Sequence, residues 1–410
     1  MPLTPTLRYI LIGAIVVIIF GLGGWYFFIR AKQAGIETGD AGRGLGEAPS
    51  FVSRVGSTYE NIVSTLTETF TGERESGSEF ERERLSQVSK TPTAGAGFVG
   101  SGTSTRLRFV ERGTGYVFDF TPETGALERL TNTLVPRTYE AHIGASGRMI
   151  TRSEEEDGSF STAKARIATT TAAGETLYPL LRTFLPNSIT TAVLSPENDE
   201  LFYIVDTDTG GRGMRAAWAG GAEREIFSSM ISGWRAWWLP SGKLVLAQYA
   251  SDGAVGYAYE IGESGRMTVL VRGLGLTFLP HPREQAFISG ASTNDLSLFV
   301  RAGTSSTDTL LPLKTIADKC VWHPRELTAY CATPQTKPAA NFLDLYHRGE
   351  IHTSDAWWRI DARDGEVELL LPTGNATIDV ERPVIDDSGE RIAFINALDK
   401  SLWILEIPNE

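Results

Sequence analysis

From residue 85 onward the chain repeats one pattern: an apolar run, a tight turn of Ser, Pro, Gly and Asp, and a second apolar run. The pattern occurs seven times, as GAGFVGSGTSTRLRFV, EAHIGASGRMITR, TAVLSPENDELFYIV, RAWWLPSGKLVLAQY, LTFLPHPREQAFIS, CVWHPRELTAYCA and RPVIDDSGERIAFIN. With Gly102, Gly147, Glu197, Ser241, Pro282, Pro324 and Ser388 as turn markers, the spacings are 45, 50, 44, 41, 42 and 64 residues. Short apolar runs bounded by turn residues are strands. Most turns are followed by two more of them, as in GYVFDFTPETGALERLT. Four strands per unit of about 40–45 residues is the signature of a propeller blade. Each such sheet has two apolar faces that only neighbouring sheets can cover. The pattern therefore predicts an all-β, seven-bladed β-propeller over 81–410, with six or eight blades as alternatives. The last unit ends at SLWILEI, one strand short, and RLSQVSK at 84–90 can supply that strand. Pairing the two ends of the domain in this way removes an edge that would otherwise invite aggregation.

Before residue 81 the pattern is different. Residues 9–29, YILIGAIVVIIFGLGGWYFFI, carry no charge, and about 20 apolar residues in a helix span a hydrocarbon core of roughly 30 Å. Trp25, Tyr26, Phe27 and Phe28 gather at one end, where an aromatic belt sits. A cleaved signal peptide has a shorter core and a small-residue cleavage site, so 1–30 is expected to be an uncleaved transmembrane anchor. Flanking charges do not orient it, because Arg8 on one side faces Arg30 and Lys32 on the other. Residues 31–80 read as a flexible tether with a partly helical stalk, since apolar positions 51, 52, 55, 59, 62, 63, 66 and 70 define one helical face near 50–70. That helix packs on the domain or the membrane surface, or mediates self-association.

The only two cysteines, Cys320 and Cys331, flank the turn of the sixth unit. With Arg325 and Glu326 at its centre, 320 faces 331 across an antiparallel hairpin, at a Cα separation of about 4.5 Å in a non-hydrogen-bonded pair. A zinc site needs four ligands, and His323 lies an odd number of residues from Cys320, on the opposite face. A disulfide is the expectation, with two buried free thiols as the alternative. A disulfide implies an oxidising exterior and so places the C-terminal domain outside the cytoplasm, at the cell membrane.

The net charge of −12 and the lack of a basic cluster argue against nucleic acid as a partner. GAGFVG at 95–100 matches a dinucleotide fingerprint but precedes a strand where a helix is required; it reads as a small-residue strand beside a crowded axis. DTDTGG at 206–211 imitates a calcium loop but has Ala217 at its twelfth position, which makes it a hairpin turn. No G-x-S-x-G elbow occurs. No catalytic residue, cofactor or metal site is therefore expected. Of Trp234, Trp237, Trp238, Trp357 and Trp358, at least one of each adjacent pair is core, because neighbours on a strand face opposite ways.

Turns such as LSPENDELFYIV and IDDSGERIAFIN resemble the WD40-like repeats of TolB-type propellers. Residues 81–410 also resemble a family of uncharacterised bacterial single-pass membrane proteins with an N-terminal helix, an LSQVSKTPTAGAG lead-in and a KCVW…YC hairpin. The resemblance implies the propeller fold and, by fold-level analogy alone, protein binding.

One insertion interrupts the repeat. Between Cys331 and Trp357 lie ATPQTKPAANFLDLYHRGEIHTSD, and long loops on rigid scaffolds are where binding concentrates. Phe342, Asp344, Tyr346, His347, Arg348, His352 and Asp355 are the candidate partner-binding residues. The alternatives are a loop packed over one rim through Phe342, Leu343, Leu345 and Tyr346, and a metal site at His347 and His352. The leading expectation is a non-enzymatic scaffold or adaptor for an envelope protein. The alternative is a ligand- or glycan-binding, or hydrolytic, propeller with its site at the central channel. An apolar rim patch beside the insertion favours the first; a convergent charged pocket at the channel mouth favours the second.

Overall fold

Seven four-stranded antiparallel sheets, together with one two-stranded ribbon, make up the described part of the protein. The computed structural model describes residues 84–408 apart from 173–174, 294, 304–306 and 373–376, within a unit that runs Glu81–Glu410. The apolar stretch 9–29, the tether and the amphipathic segment at 50–70 lie outside these residues. Among the described residues no helix is long and apolar enough to cross a membrane.

Blade 1 consists of Thr93–Val99, Arg106–Glu111, Val117–Thr121 and Ala126–Arg129, in that order from the inner strand outward. Blades 2 to 6 begin at the inner strands Thr138–Ile143, Ile189–Leu194, Trp234–Trp238, Thr277–Pro280 and Cys320–Trp322. Blade 7 holds Val380–Ile385, Arg391–Asn396 and Leu402–Glu406, and its fourth, outer strand is Leu85–Ser89. Leu85 pairs with Leu405 and Ser86 with Ile404, so the N-terminal end of the domain closes the ring as its sequence predicts. Thr93 N also donates to Lys400 O at 2.8 Å. All seven turn markers fall between the first and second strands of their blades.

The core is a set of layers between blades. On the strand Glu200–Thr207 of blade 3, Leu201 and Tyr203 pack with Ile150 of blade 2. Phe202 and Ile204 pack with Trp234, Leu244 and Leu246 of blade 4. Side chains alternate between the faces of a strand, and both faces here are covered, which is why these middle strands are apolar without interruption. Outer strands lose this pattern: all four residues of Ala126–Arg129 are exposed.

Cys320 and Cys331 are register partners joined by a disulfide, with a Cα separation of 4.1 Å. The bridge lies in the layer between blades 5 and 6, with Ile288, Leu298 and Ile360. His323 plays a local part instead: its Nδ1 accepts from Arg325 N and Glu326 N at the turn. The 95–100 segment is an inner strand where a Cβ on Gly95 would collide with the Ala141 carbonyl of blade 2, so the glycine permits close approach of two blades. DTDTGG is a hairpin in which Thr207 pairs with Gly210. Trp234 and Trp357 are buried in inter-blade layers, while Trp237, Trp238 and Trp358 are partly exposed.

Candidate functional site

The inner strands pack around a central channel, and a cavity of about 770 Å³ opens at one of its mouths. Its walls come from the inner strands of blades 1, 2, 3, 4 and 7, from Asp318 just before blade 6, and from the insertion at Tyr346–His352. Charged residues reach it from separate blades. Glu140 and His142 belong to blade 2, Arg235 to blade 4, and Glu381, Arg382 and Lys400 to blade 7.

Glu140 is the centre of one ion cluster. Arg152 Nη1 donates to its Oε2 at 3.0 Å, Arg382 Nη2 lies 3.2 Å from Oε1, and His142 Nε2 lies 3.1 Å from Oε1. Burial works against the charge. The His142 hydrogen bond and the charges of His142, Arg382 and Arg152 outweigh it and hold the carboxyl well below the usual range. Arg382 reaches across blade 1, where Nη1 donates to Ala94 O at 3.4 Å. On another wall Arg235 pairs with Asp318, with its guanidinium 5.4 Å from the Trp237 ring centre and 6.0 Å from that of Tyr249. Lys400 pairs with Glu381.

The insertion occupies 335–354, because Thr328–Pro334 and Asp355–Asp361 extend as strands past the limits expected from the sequence. It holds a short helix, Phe342–His347. Phe342 and Leu343 are buried with Leu296 and Ile316 of the blade 5 rim, and Ala250 of blade 4, Tyr346 and Ile351 pack against them. Asp344 N donates to Asp252 Oδ2 at 3.1 Å, and Asp252 N donates back to Asp344 Oδ1 at 3.3 Å. The insertion thus starts from blade 6, seats on blades 4 and 5, and returns beside blade 7.

That return is held by a second ion cluster, which is sealed. Lys319 Nζ donates to Asp355 Oδ2 and Asp379 Oδ1, both at 2.6 Å, and to Thr353 Oγ1 at 2.8 Å. All three charged residues are at most 1% exposed. Tyr346 OH donates to Asp379 Oδ1 at 3.3 Å, and its ring lies 4.8 Å from Lys319 Nζ. Burial, followed by the Asp379 charge, pushes the Tyr346 hydroxyl well above its ordinary pKa. Burial also raises Asp355, whereas Lys319, His352 and Thr353 together keep Asp379 low against the same penalty. His352 Nδ1 lies 2.9 Å from Asp379 Oδ2, and His352 and Tyr346 are the members of the cluster that reach the cavity edge.

Of the residues singled out in the insertion, Phe342 and Asp355 are buried, and Tyr346 is half-buried beside Lys319. Asp344 holds the blade 4 hairpin, and Arg348 forms an exposed pair with Glu350. His347, Arg348 and His352 face the cavity. Among the described residues no three His, Cys, Asp or Glu side chains are grouped as metal ligands. The charged channel residues were not apparent in sequence. A signal does exist: Glu140, Arg235, Asp318, Glu381 and Arg382 each lie six or seven residues before their turn marker. It is legible only once the inner strands are superposed around the axis.

No protein-family model matches the chain, and no curated protein matches it. Solved structures do. An oligogalacturonate lyase in complex with manganese is 11% identical with a TM-score of 0.52, covering 79% of this chain and 93% of that one. The oligogalacturonate lyase of Vibrio parahaemolyticus is 10% identical with a TM-score of 0.50, covering 79% and 94%. Hydrazine synthase of Kuenenia stuttgartiensis is 11% identical, again at 0.50, covering 82% and 100%. At such identities the likeness is one of fold, and the fold is a seven-bladed β-propeller.

Proposed function

We propose that this protein is a membrane-tethered, extracytoplasmic β-propeller that binds a small polar ligand at the channel mouth beneath the 335–354 insertion. The carrying observation is convergence: charged side chains from blades 2, 4 and 7 and from the insertion meet at one cavity of about 770 Å³, within the size range of small-molecule sites. The apolar anchor sequence at 9–29 supports the tether. The Cys320–Cys331 disulfide supports an oxidising compartment.

A thermal-shift panel of sugars, amino acids and organic acids on the full chain in detergent tests the reading. Ala397→Trp, on a hairpin that lines the cavity, should abolish any stabilisation. A compound that stabilises wild type and variant equally would put its site elsewhere.

The scaffold reading stands second. It draws on exposed apolar side chains at and just before blade 2, where Leu134, Phe160 and Phe184 are 60%, 56% and 61% exposed. Such residues mark partner surfaces when they form a patch. They are not beside the insertion. An envelope protein captured by wild type and lost with Phe160→Ser and Phe184→Ser would move this reading to first place.

A further inference from the structure

We propose that the ligand carries a carboxylate or phosphate group, and that this anion sits between Arg235 of blade 4 and Arg382 of blade 7, with His347 on the same cavity. The proposal rests on the channel reading above and specifies its chemistry.

Charge balance at the cavity is the first argument. Arg348 is neutralised by Glu350, which is not part of the wall. That leaves Arg152, Arg235, Arg382 and Lys400 against Glu140, Asp318 and Glu381. One positive charge is in excess, in a chain whose net charge is −12. The carboxylates are also shared. Glu140 serves Arg152, His142 and Arg382, while Glu381 is paired with Lys400 and lies 3.7 Å from Arg382. Arg382 therefore has no carboxylate of its own.

The second argument is repulsion. Arg382 lowers the pKa of Arg235, after the larger effect of burial, and Arg235 in turn lowers that of His347, again after burial. Like charges that face one space of reduced dielectric are unfavourable. A bound anion reverses the sign of that interaction, and charge-assisted bonds to guanidinium are the strong ones.

The third argument is backbone. Arg382 has φ of 51° inside a register shift of its inner strand between Glu381 and Val384. A left-handed non-glycine residue is strained and is retained where its surroundings over-determine it. Here the conformation carries the guanidinium over blade 1 to Ala94 O and Glu140.

The test is isothermal titration of the full chain in detergent with citrate, with inorganic phosphate, and with glucose as an uncharged control. At least one anion should bind, and the preferred one distinguishes carboxylate from phosphate. Arg235→Gln and Arg382→Asn should each weaken it about tenfold or more, and the double variant should abolish it. Asn tolerates a left-handed backbone, so the second variant keeps the strand. Arg212→Gln, on an exposed outer pair with Glu225, should leave affinity unchanged. The proposal is overturned if neither anion binds, or if the double variant binds as wild type does. Glucose binding that is lost in Ala397→Trp, without anion binding, would retain the channel site and overturn the anion. No binding by any member of the panel would overturn both.

Discussion

Two ion clusters stand within a few residues of each other, and they differ in how their charges are compensated. In the sealed cluster, Lys319 donates to Asp355, Asp379 and Thr353, and none of these is more than 7% exposed. In the open set at the cavity wall, Arg382 shares Glu140 with Arg152 and Glu381 with Lys400, while Arg235 pairs with Asp318. Asp318 and Lys319 are adjacent in sequence, yet one pairs with Arg235 at the cavity wall and the other is buried between blades 6 and 7. Burial decides the role. A charge taken fully from water must have its partners built in, and it then holds structure. A charge left at a water-filled cavity can exchange its partner for a ligand.

Removing charge should therefore have opposite consequences in the two places. Lys319→Met should be the most damaging change, destabilising by about 3–5 kcal/mol because Asp355 and Asp379 are left buried without their cation. Urea denaturation would measure it; a loss of under 1 kcal/mol would mean that the sealed cluster is not structural.

Next in size is the disulfide. Cys320 follows Lys319 directly, so the bridge to Cys331 anchors the strand Cys320–Trp322 immediately after Asp318 and Lys319. Replacing both cysteines with Ala should cost about 2–4 kcal/mol, measured by thermal unfolding with and without reductant. Reductant should move wild type toward the variant and leave the variant unchanged.

A smaller effect is expected at Glu140. Its folded pKa is depressed from the ordinary 4.5, so its contribution is complete above that value and is lost as pH falls below it. Glu140→Gln should lower stability in the neutral region, where the wild-type contribution is complete, and converge on wild type as pH falls, so that its acid limb is flatter. An unchanged acid limb would mean that the Arg152 and Arg382 contacts contribute nothing.

The smallest stability change belongs to Arg235→Gln, within about 1 kcal/mol, because its pair with Asp318 is partly exposed. Its consequence is expected in binding. A large stability loss would class Arg235 with Lys319 and erase the contrast between the clusters.

Some of this was legible from the chain alone. The turn between first and second strands could be located in every blade because Ser, Pro, Gly and Asp act locally, through backbone geometry. The Cys320–Cys331 pairing followed from a hairpin count, and the closing strand from a unit one strand short. The insertion was found by the same count, but its contents were harder to place. Phe342 and Asp355 look like loop residues beside histidines, and their burial depends on Leu296, Ile316 and Lys319, which belong to other segments.

What the sequence by itself determined is thus the repeat, the alternation of strands, the ring closure and the disulfide register. Each is set by short-range stereochemistry or by the period of two along a strand. Only the tertiary structure decided which charges meet. Glu140, Arg235, Asp318 and Arg382 span more than 240 residues of chain and share a cavity because seven blades bring their inner strands to one axis. Their chemistry depends on burial, and burial is a property of the closed ring.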